Sequence, residues 1–363
     1  MVPFFDASRI LSQRHDATHT IGEAYEAACA RVIRSGRYIL GPEVEAFECE
    51  AAAYLGAPYA VAVSSGTDAL ILALRCLDIG PGDDVLVPAF TFIATAEAVA
   101  RVGARPVFVD VTPSGLMDLD RAKPHADSPV FEAAIVVDLF GRDSHGNHIE
   151  ERTGGYVITD RAQSFGSARG SGATLATHSF YPTKNLSGLG DGGLVTTHDP
   201  RIAERLRSLR NHGQTTRGVH GEIGGNHRLD EIQAACLRVG LRHVDEWLSQ
   251  RAATAARYTE ALAGLPLVLP WRSTGETWNQ YVIQTPRRDE LRLHLAALGI
   301  GCDVYYPHAL PHQPCFAFLG HHMGDFPVAE RLARESLALP IFPGITAAEI
   351  ASVVSAVRGF PWA

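Results

Sequence analysis

The stretch HSFYPTKNLSGLGDGG, residues 178–193, decides how the rest of the chain is read. It sets one lysine, Lys184, between the aromatic-flanked Ser179 and a run of small residues, in a loop between two strand-like segments. An amine used in covalent catalysis needs such a setting: held rigidly, partly desolvated, with glycine allowing close backbone approach. A solvated surface lysine needs none of it, and is the commoner kind. Within the stretch, Gly188-Leu189-Gly190-Asp191-Gly192-Gly193 satisfies GxGxxG. That pattern binds a dinucleotide where it joins a strand to a helix whose N-terminus meets the pyrophosphate. Here the β-like LVTTHD follows instead, which argues against a nicotinamide-binding fold.

Outward from this loop, apolar runs of strand length occur at 59–63, 85–88, 106–111, 133–140, 156–160 and 194–197. Helical patterns at 22–35, 43–55, 68–77 and 93–101 precede or separate the earlier ones. Pro42 opens the second helix and Gly56 closes it. Strands buried on both faces, with helical crossovers between them, predict an α/β unit built on a mostly parallel sheet. From about 228 a helical pattern runs to Gly264, too long for one compact layer. Beyond it come a strand at 281–285 and helices near 289–299, 327–337 and 347–357. The expected division is a large α/β domain over 1–245 and a smaller α+β domain over 246–363.

Composition narrows the function classes. The 363 residues carry a net charge of -8 and no basic stripe, which argues against a nucleic-acid partner. The six cysteines are scattered without a CxxC pair, as in a reduced cytoplasmic protein rather than a disulfide or zinc framework. The first sixteen residues lack the apolar core of a signal peptide, and no stretch has the apolar length of a membrane span. A soluble cytoplasmic protein is expected.

Three further features bear on chemistry. Ser64-Ser65-Gly66-Thr67 lies between a buried strand and a helix, where free N–H groups and hydroxyls can take an anion or simply cap the helix. Asp160 ends an apolar strand at the sheet edge where open α/β folds bind ligands, with Gln163 three residues on. Its carboxylate suits either a helix cap or a protonated ring nitrogen. The pairs His308/His312 and His321/His322 sit in Pro- and Gly-rich sequence without a carboxylate or cysteine partner, so no metal site is expected.

Seven stretches stand in order along nearly the whole chain. They are GPEVEAFECEAAAYLGAPYAVAVSSGTDAL (41–70), VLVPAFTFIATAEAV (85–99), TDRAQSFGS (159–167), SFYPTKNLSGLGDGGLVTT (179–197), LRNHG (209–213), GGNHRLDEIQAA (224–235) and DFPVAERLARESLALPIFP (325–343). Together they resemble the DegT/DnrJ/EryC1/StrS family of sugar aminotransferases, which use pyridoxal 5'-phosphate (PLP). The resemblance implies the fold-type-I PLP aminotransferase architecture and a homodimer with shared active sites. Lys184 matches the Schiff-base lysine and Asp160 the carboxylate on the pyridine nitrogen. Gln163 matches the residue beside the phenolic oxygen, and Phe92 the aromatic over the ring. Gly66, Thr67 and Ser179 match the phosphate cradle, which Asn226 reaches from the partner subunit. Arg228, Tyr306, His308 and His312 are the substrate-side candidates.

The chain also departs from the family pattern. Asp138 stands where the family often has histidine, and Pro311 takes the histidine position of the HYPxPLH loop, with His312 next. The stretches 141–159 and 167–178 are shorter than usual. SFYPTKNLSGLGDGG resembles the members that aminate C3 of the sugar more than those acting at C4. The implied reaction transfers an amino group from L-glutamate or L-glutamine to a nucleotide-linked keto-sugar, a dTDP-3-keto-6-deoxyhexose. The alternatives are a keto-cyclitol, a UDP-3-keto-uronic sugar, or a non-catalytic regulator or binding module on the same fold. The iron–sulfur-assisted dehydratases that resemble this family carry histidine in place of Lys184.

Overall fold

The computed structural model describes residues 1–122, 131–144, 155–167, 174–270 and 275–362. It opens with α1 (Ala7–Leu11), α2 (Ile21–Ser35) and α3 (Pro42–Leu55). A capping box starts α2: Thr20 Oγ1 accepts from the Glu23 N–H, and the Glu23 carboxylate accepts from the Thr20 N–H. α3 has Pro42 in its first turn and stops at Gly56, whose φ of 69° is left-handed.

Alternating elements follow: β1 (Tyr59–Val63), α4 (Gly66–Cys76), β2 (Asp84–Pro88), α5 (Ala94–Arg101) and β3 (Arg105–Val109). Then come β4 (Ala133–Val137), β5 (Tyr156–Asp160), β6 (Leu175–Ser179), β7 (Gly193–Thr197) and α6 (Pro200–Leu209). The seven strands lie side by side in the order β1-β7-β6-β5-β4-β2-β3. β7 alone runs against its neighbours β1 and β6; the other pairings are parallel. Successive side chains leave opposite faces of a strand, so β1 serves two cores at once. Val61 and Val63 pack with α4 and α5, while Ala60 and Ala62 pack with α2 and α3.

After the short hairpin β8 (Gln214–Thr216) and β9 (Val219–His220), the chain forms α7 (Glu231–Leu241) and α8 (Val244–Leu262). The last part holds β10 (Tyr281–Gln284), α9 (Arg288–Ala297), α10 (Pro327–Glu335), β11 (Ser336–Leu339) and α11 (Ala347–Arg358). β10 and β11 pair antiparallel, and their inner residues join α8, α9 and α11 in a third core. Val2 also packs there and pairs with Ile300. No helix among the described residues is long and apolar enough to cross a membrane.

Four sequence expectations change. The single helix over 228–264 is two helices, broken at Arg242–His243, with Gly264 at φ 80° beyond the end. The helix over 327–337 ends at Glu335, because Ser336–Leu339 is drawn out as a buried strand against β10. The strand over 133–140 stops at Val137; Leu139–Gly141 forms a tight turn with Phe140 at φ 63°. β6 was not expected, since LATHS carries too little apolar character to stand out. The shortened stretches lie largely at 145–154 and 168–173, outside the described residues.

Candidate active site

β5, β6 and the start of α4 bring the candidate residues to one end of the sheet. Lys184 follows β6 in a turn closed by its own N–H bonding to the Tyr181 carbonyl at 2.8 Å. Its residue surface is partly open, yet the ammonium end is enclosed enough for burial to push it down to about 8. The Asp160 carboxylate pulls the other way and offsets only part of this. An amine with so low a value is available as a nucleophile near neutral pH.

Asp160 ends β5, buried. Its Oδ1 accepts from the Ala162 N–H at 3.0 Å and its Oδ2 from Thr95 Oγ1 at 3.3 Å. Burial raises its carboxyl above the usual range; Ala162, Lys184 and Thr95 act against that rise. The carboxylate caps no helix of its own. Thr95 was missed in the sequence, although it lies one turn beyond Phe92 and its N–H bonds to the Phe92 carbonyl. The Phe92 ring is 53% exposed, an open apolar face in a site of polar groups. Its centroid lies 6.0 Å from that of Tyr306.

Gln163 is buried and engaged at both ends of its amide. Oε1 accepts from the Phe140 N–H at 2.6 Å, and Nε2 donates to the Tyr306 hydroxyl at 2.9 Å. The left-handed turn at Phe140 thus aims a backbone donor at Gln163. Asp138, the departure from the family pattern, is fully buried below these groups. It accepts from the Ser144 N–H and hydroxyl at 2.8 and 2.6 Å and from Ser164 Oγ at 2.7 Å, with Arg161 Nε 3.6 Å away. It pins the turn after β4 to the turn after β5. His178 is buried against Phe165, its ring nitrogens without a partner among the described residues, and burial pushes it down to about 3. It is a neutral packing residue.

Ser65 caps α4 by accepting the Asp68 N–H at 3.0 Å. The N–H groups of Gly66 and Thr67, the first two residues of the helix, donate to nothing among the described residues. Open donors at a helix N-terminus are suited to an anion. Ser179 flanks them: a Cβ on Gly66 would stand 2.7 Å from Ser179 Cβ, so glycine is required for this approach.

The remaining candidates separate. Asn226 is exposed, and its Oδ1 accepts from Arg228 Nε at 2.9 Å; Arg228 also reaches Asn211 at 3.1 Å. His308 is exposed. Tyr306 is committed to Gln163, and His312 to Glu330 at 2.9 Å, where Glu330 also accepts from the Gly324 N–H.

A model of the DegT/DnrJ/EryC1/StrS aminotransferase family matches residues 19–358. The chain belongs to that family. This aminotransferase is 42% identical to the dTDP-3-amino-3,4,6-trideoxy-α-D-glucose transaminase of Streptomyces venezuelae over 98% of its own length and 95% of the relative's. It superposes on the crystal structure of S. venezuelae DesV with a TM-score of 0.92 at 42% identity, covering 98% and 97% of the two chains. NtdA of Bacillus subtilis, solved with bound cofactor PMP, gives a TM-score of 0.91 at 28% identity over 98% of this chain and 84% of NtdA. The architecture of this family member is that of a fold-type-I PLP aminotransferase.

Proposed function

We propose that the protein transfers an amino group from L-glutamate, or L-glutamine, to C3 of a dTDP-3-keto-6-deoxyhexose, with pyridoxal 5'-phosphate as cofactor. The observation that carries this reading is the enclosed, partly neutralised amine of Lys184 facing the buried carboxylate of Asp160. Similarity to the 3-amino-sugar transaminase of S. venezuelae supports the substrate class.

The residues present fit the cofactor part by part. When bound, PLP supplies an aldehyde carbon that an amine can join and a protonated ring that withdraws electrons. The open N–H groups of Gly66 and Thr67 and the Ser179 hydroxyl suit its phosphate. Asp160 suits the ring nitrogen, the Gln163 amide the phenolic oxygen, and the exposed face of Phe92 the ring. Lys184 Nζ is the amine that would hold the cofactor covalently at its aldehyde, and in its free form it would serve as the site's proton carrier. Arg228 and His308 are assigned to the nucleotide-sugar side.

We further infer a cytoplasmic C2 homodimer in which Asn226 serves the partner's phosphate site. Its exposed side chain and the six free thiols support this. The division near residue 245 into a large and a small domain is supported by the third core, which Tyr281, Ile283, Leu337 and Leu339 form with the helices that follow residue 244.

Turnover by the purified protein against dTDP-3-keto, dTDP-4-keto and UDP-3-keto sugars and a keto-cyclitol, with glutamate as donor, tests the reading. The dTDP-3-keto sugar is expected to lead by about tenfold or more in kcat/KM. Preference for the 4-keto sugar or the cyclitol would contradict it.

A further inference from the structure

The segment Thr277-Trp278-Asn279-Gln280 lies about ninety residues beyond Lys184 in the chain, yet it binds three separate active-site turns. Asn279 Nδ2 donates to the Thr183 carbonyl at 3.4 Å and to Asn185 Oδ1 at 3.1 Å. Asn185 in turn donates to the Gln163 carbonyl at 3.5 Å. Thr277 Oγ1 donates to that same Gln163 carbonyl at 3.1 Å, and the Thr277 N–H to the Gly141 carbonyl at 3.0 Å. The Gln280 N–H reaches the Phe140 carbonyl.

The seat of the segment is rigid. Arg251, fully buried on α8, donates from Nη1 to the carbonyls of Trp278, Asn279 and Ile341 at 3.3, 3.1 and 2.9 Å. A Cβ on Gly141 would stand 2.5 Å from Thr277 Oγ1 and 2.9 Å from the Trp278 nitrogen, so the two turns touch backbone to backbone. Asn279 is 4% exposed and its Oδ1 has no hydrogen-bond partner among the described residues. Both neighbours of its Nδ2 are acceptors, which fixes the amide orientation. The protein thus leaves a buried carbonyl oxygen unbonded in order to hold the lysine turn, an arrangement that stability alone disfavours.

We infer that Asn279 and Thr277 are positioning residues for transamination: Asn279 fixes the peptide plane before Lys184, and Thr277 fixes the Gln163 turn against it. This rests on the function proposed above. The 183–184 peptide plane sets the direction in which the long Lys184 side chain leaves the backbone, so a small rotation there displaces Nζ widely. Displacements on the order of 1 Å can cost about a hundredfold in rate.

The test is Asn279→Ala, read in two ways. In the cofactor-free protein, trace labelling of Lys184 by acetic anhydride across pH, followed by peptide mass spectrometry, gives the midpoint of amine ionisation. Release of the turn toward water is expected to raise that midpoint by about one pH unit from the wild-type value. In the PLP-loaded enzyme kcat is expected to fall about tenfold or more with KM nearly unchanged. A folded Asn279→Ala whose midpoint stays at the wild-type value overturns the inference. If that variant does not fold, the near-isosteric Thr277→Val decides: kcat lowered about fivefold or more supports the inference, and wild-type kcat overturns it. A shifted midpoint in a protein that never transaminates would support the positioning role while contradicting the proposed function. An unmoved midpoint in an active enzyme would do the reverse.

Discussion

At the scale of single residues, Lys184 is a group whose usefulness opposes stability. Its ionisation falls from an ordinary 10.5 to about 8 in the fold. Between those values the unfolded chain binds more protons than the native one, so this lysine makes stability rise with pH across that window. Below it, the native state carries the full cost of enclosing an ammonium. Lys184→Met is therefore expected to stabilise the cofactor-free protein at pH 7 by about 1–3 kcal/mol while abolishing turnover. Urea unfolding at pH 7 and pH 10.5 checks this: the gap between variant and wild type should close at the higher pH, and an equal gap at both would contradict it. Asp160→Asn should retain PLP through the phosphate contacts yet slow turnover by about 10²–10⁴-fold, since an amide cannot balance a protonated ring nitrogen. Steady-state kinetics on the loaded variant measure this, and a wild-type rate would make Asp160 a structural residue. Lys184 and Asp160 stand out in the sequence by their local setting, a loop of small residues and the end of an apolar strand, whereas Gln163 and Phe92 are singled out only by the family resemblance. Thr277 and Asn279 are not legible there, because their partners are about ninety to a hundred and forty residues distant and reached only through the third dimension.

At the scale of elements, the sequence was readable wherever a strand or helix stops on a local signal. Gly56, closing the helix that Pro42 opens, is such a signal. It was unreadable where tertiary pairing overrides propensity, as in β6 and β11, whose residues become strands because a neighbouring strand satisfies their backbone. The junction of α3 with α7 is another long-range device. Glu231, the first residue of α7, accepts the N–H groups of Gly41, Glu43 and Val44 at 2.8, 2.9 and 2.9 Å, capping α3 from a distant helix. Charge-assisted bonds of this kind are the stronger ones, and their loss strands two buried donors and a third that is partly buried. Glu231→Ala is expected to cost about 3 kcal/mol in urea unfolding, and Glu231→Gln about half that. A cost below about 1 kcal/mol for the alanine variant would show that water replaces the carboxylate.

At the scale of the whole molecule, the proposed shared site predicts behaviour no single chain can show. Asn226 stands exposed, its Oδ1 accepting from Arg228 Nε, some forty residues past Lys184. In a C2 dimer, mixing inactive Lys184→Ala chains with chains inactivated at Asn226 should restore activity, because one site of each mixed dimer keeps both groups. Verified mixed dimers without recovery would place Asn226 outside the site. The central claim, that Lys184 makes this chain a PLP-dependent aminotransferase, has a more direct test. L-Glutamate is added to the PLP-loaded protein with no keto-sugar present, and 2-oxoglutarate is counted against protein. A ping-pong transaminase stops after its first half. The account predicts about one equivalent of 2-oxoglutarate per chain from the wild type and none from Lys184→Ala. No keto acid from the wild type with either L-glutamate or L-glutamine, or an undiminished yield and rate from the variant, would contradict it.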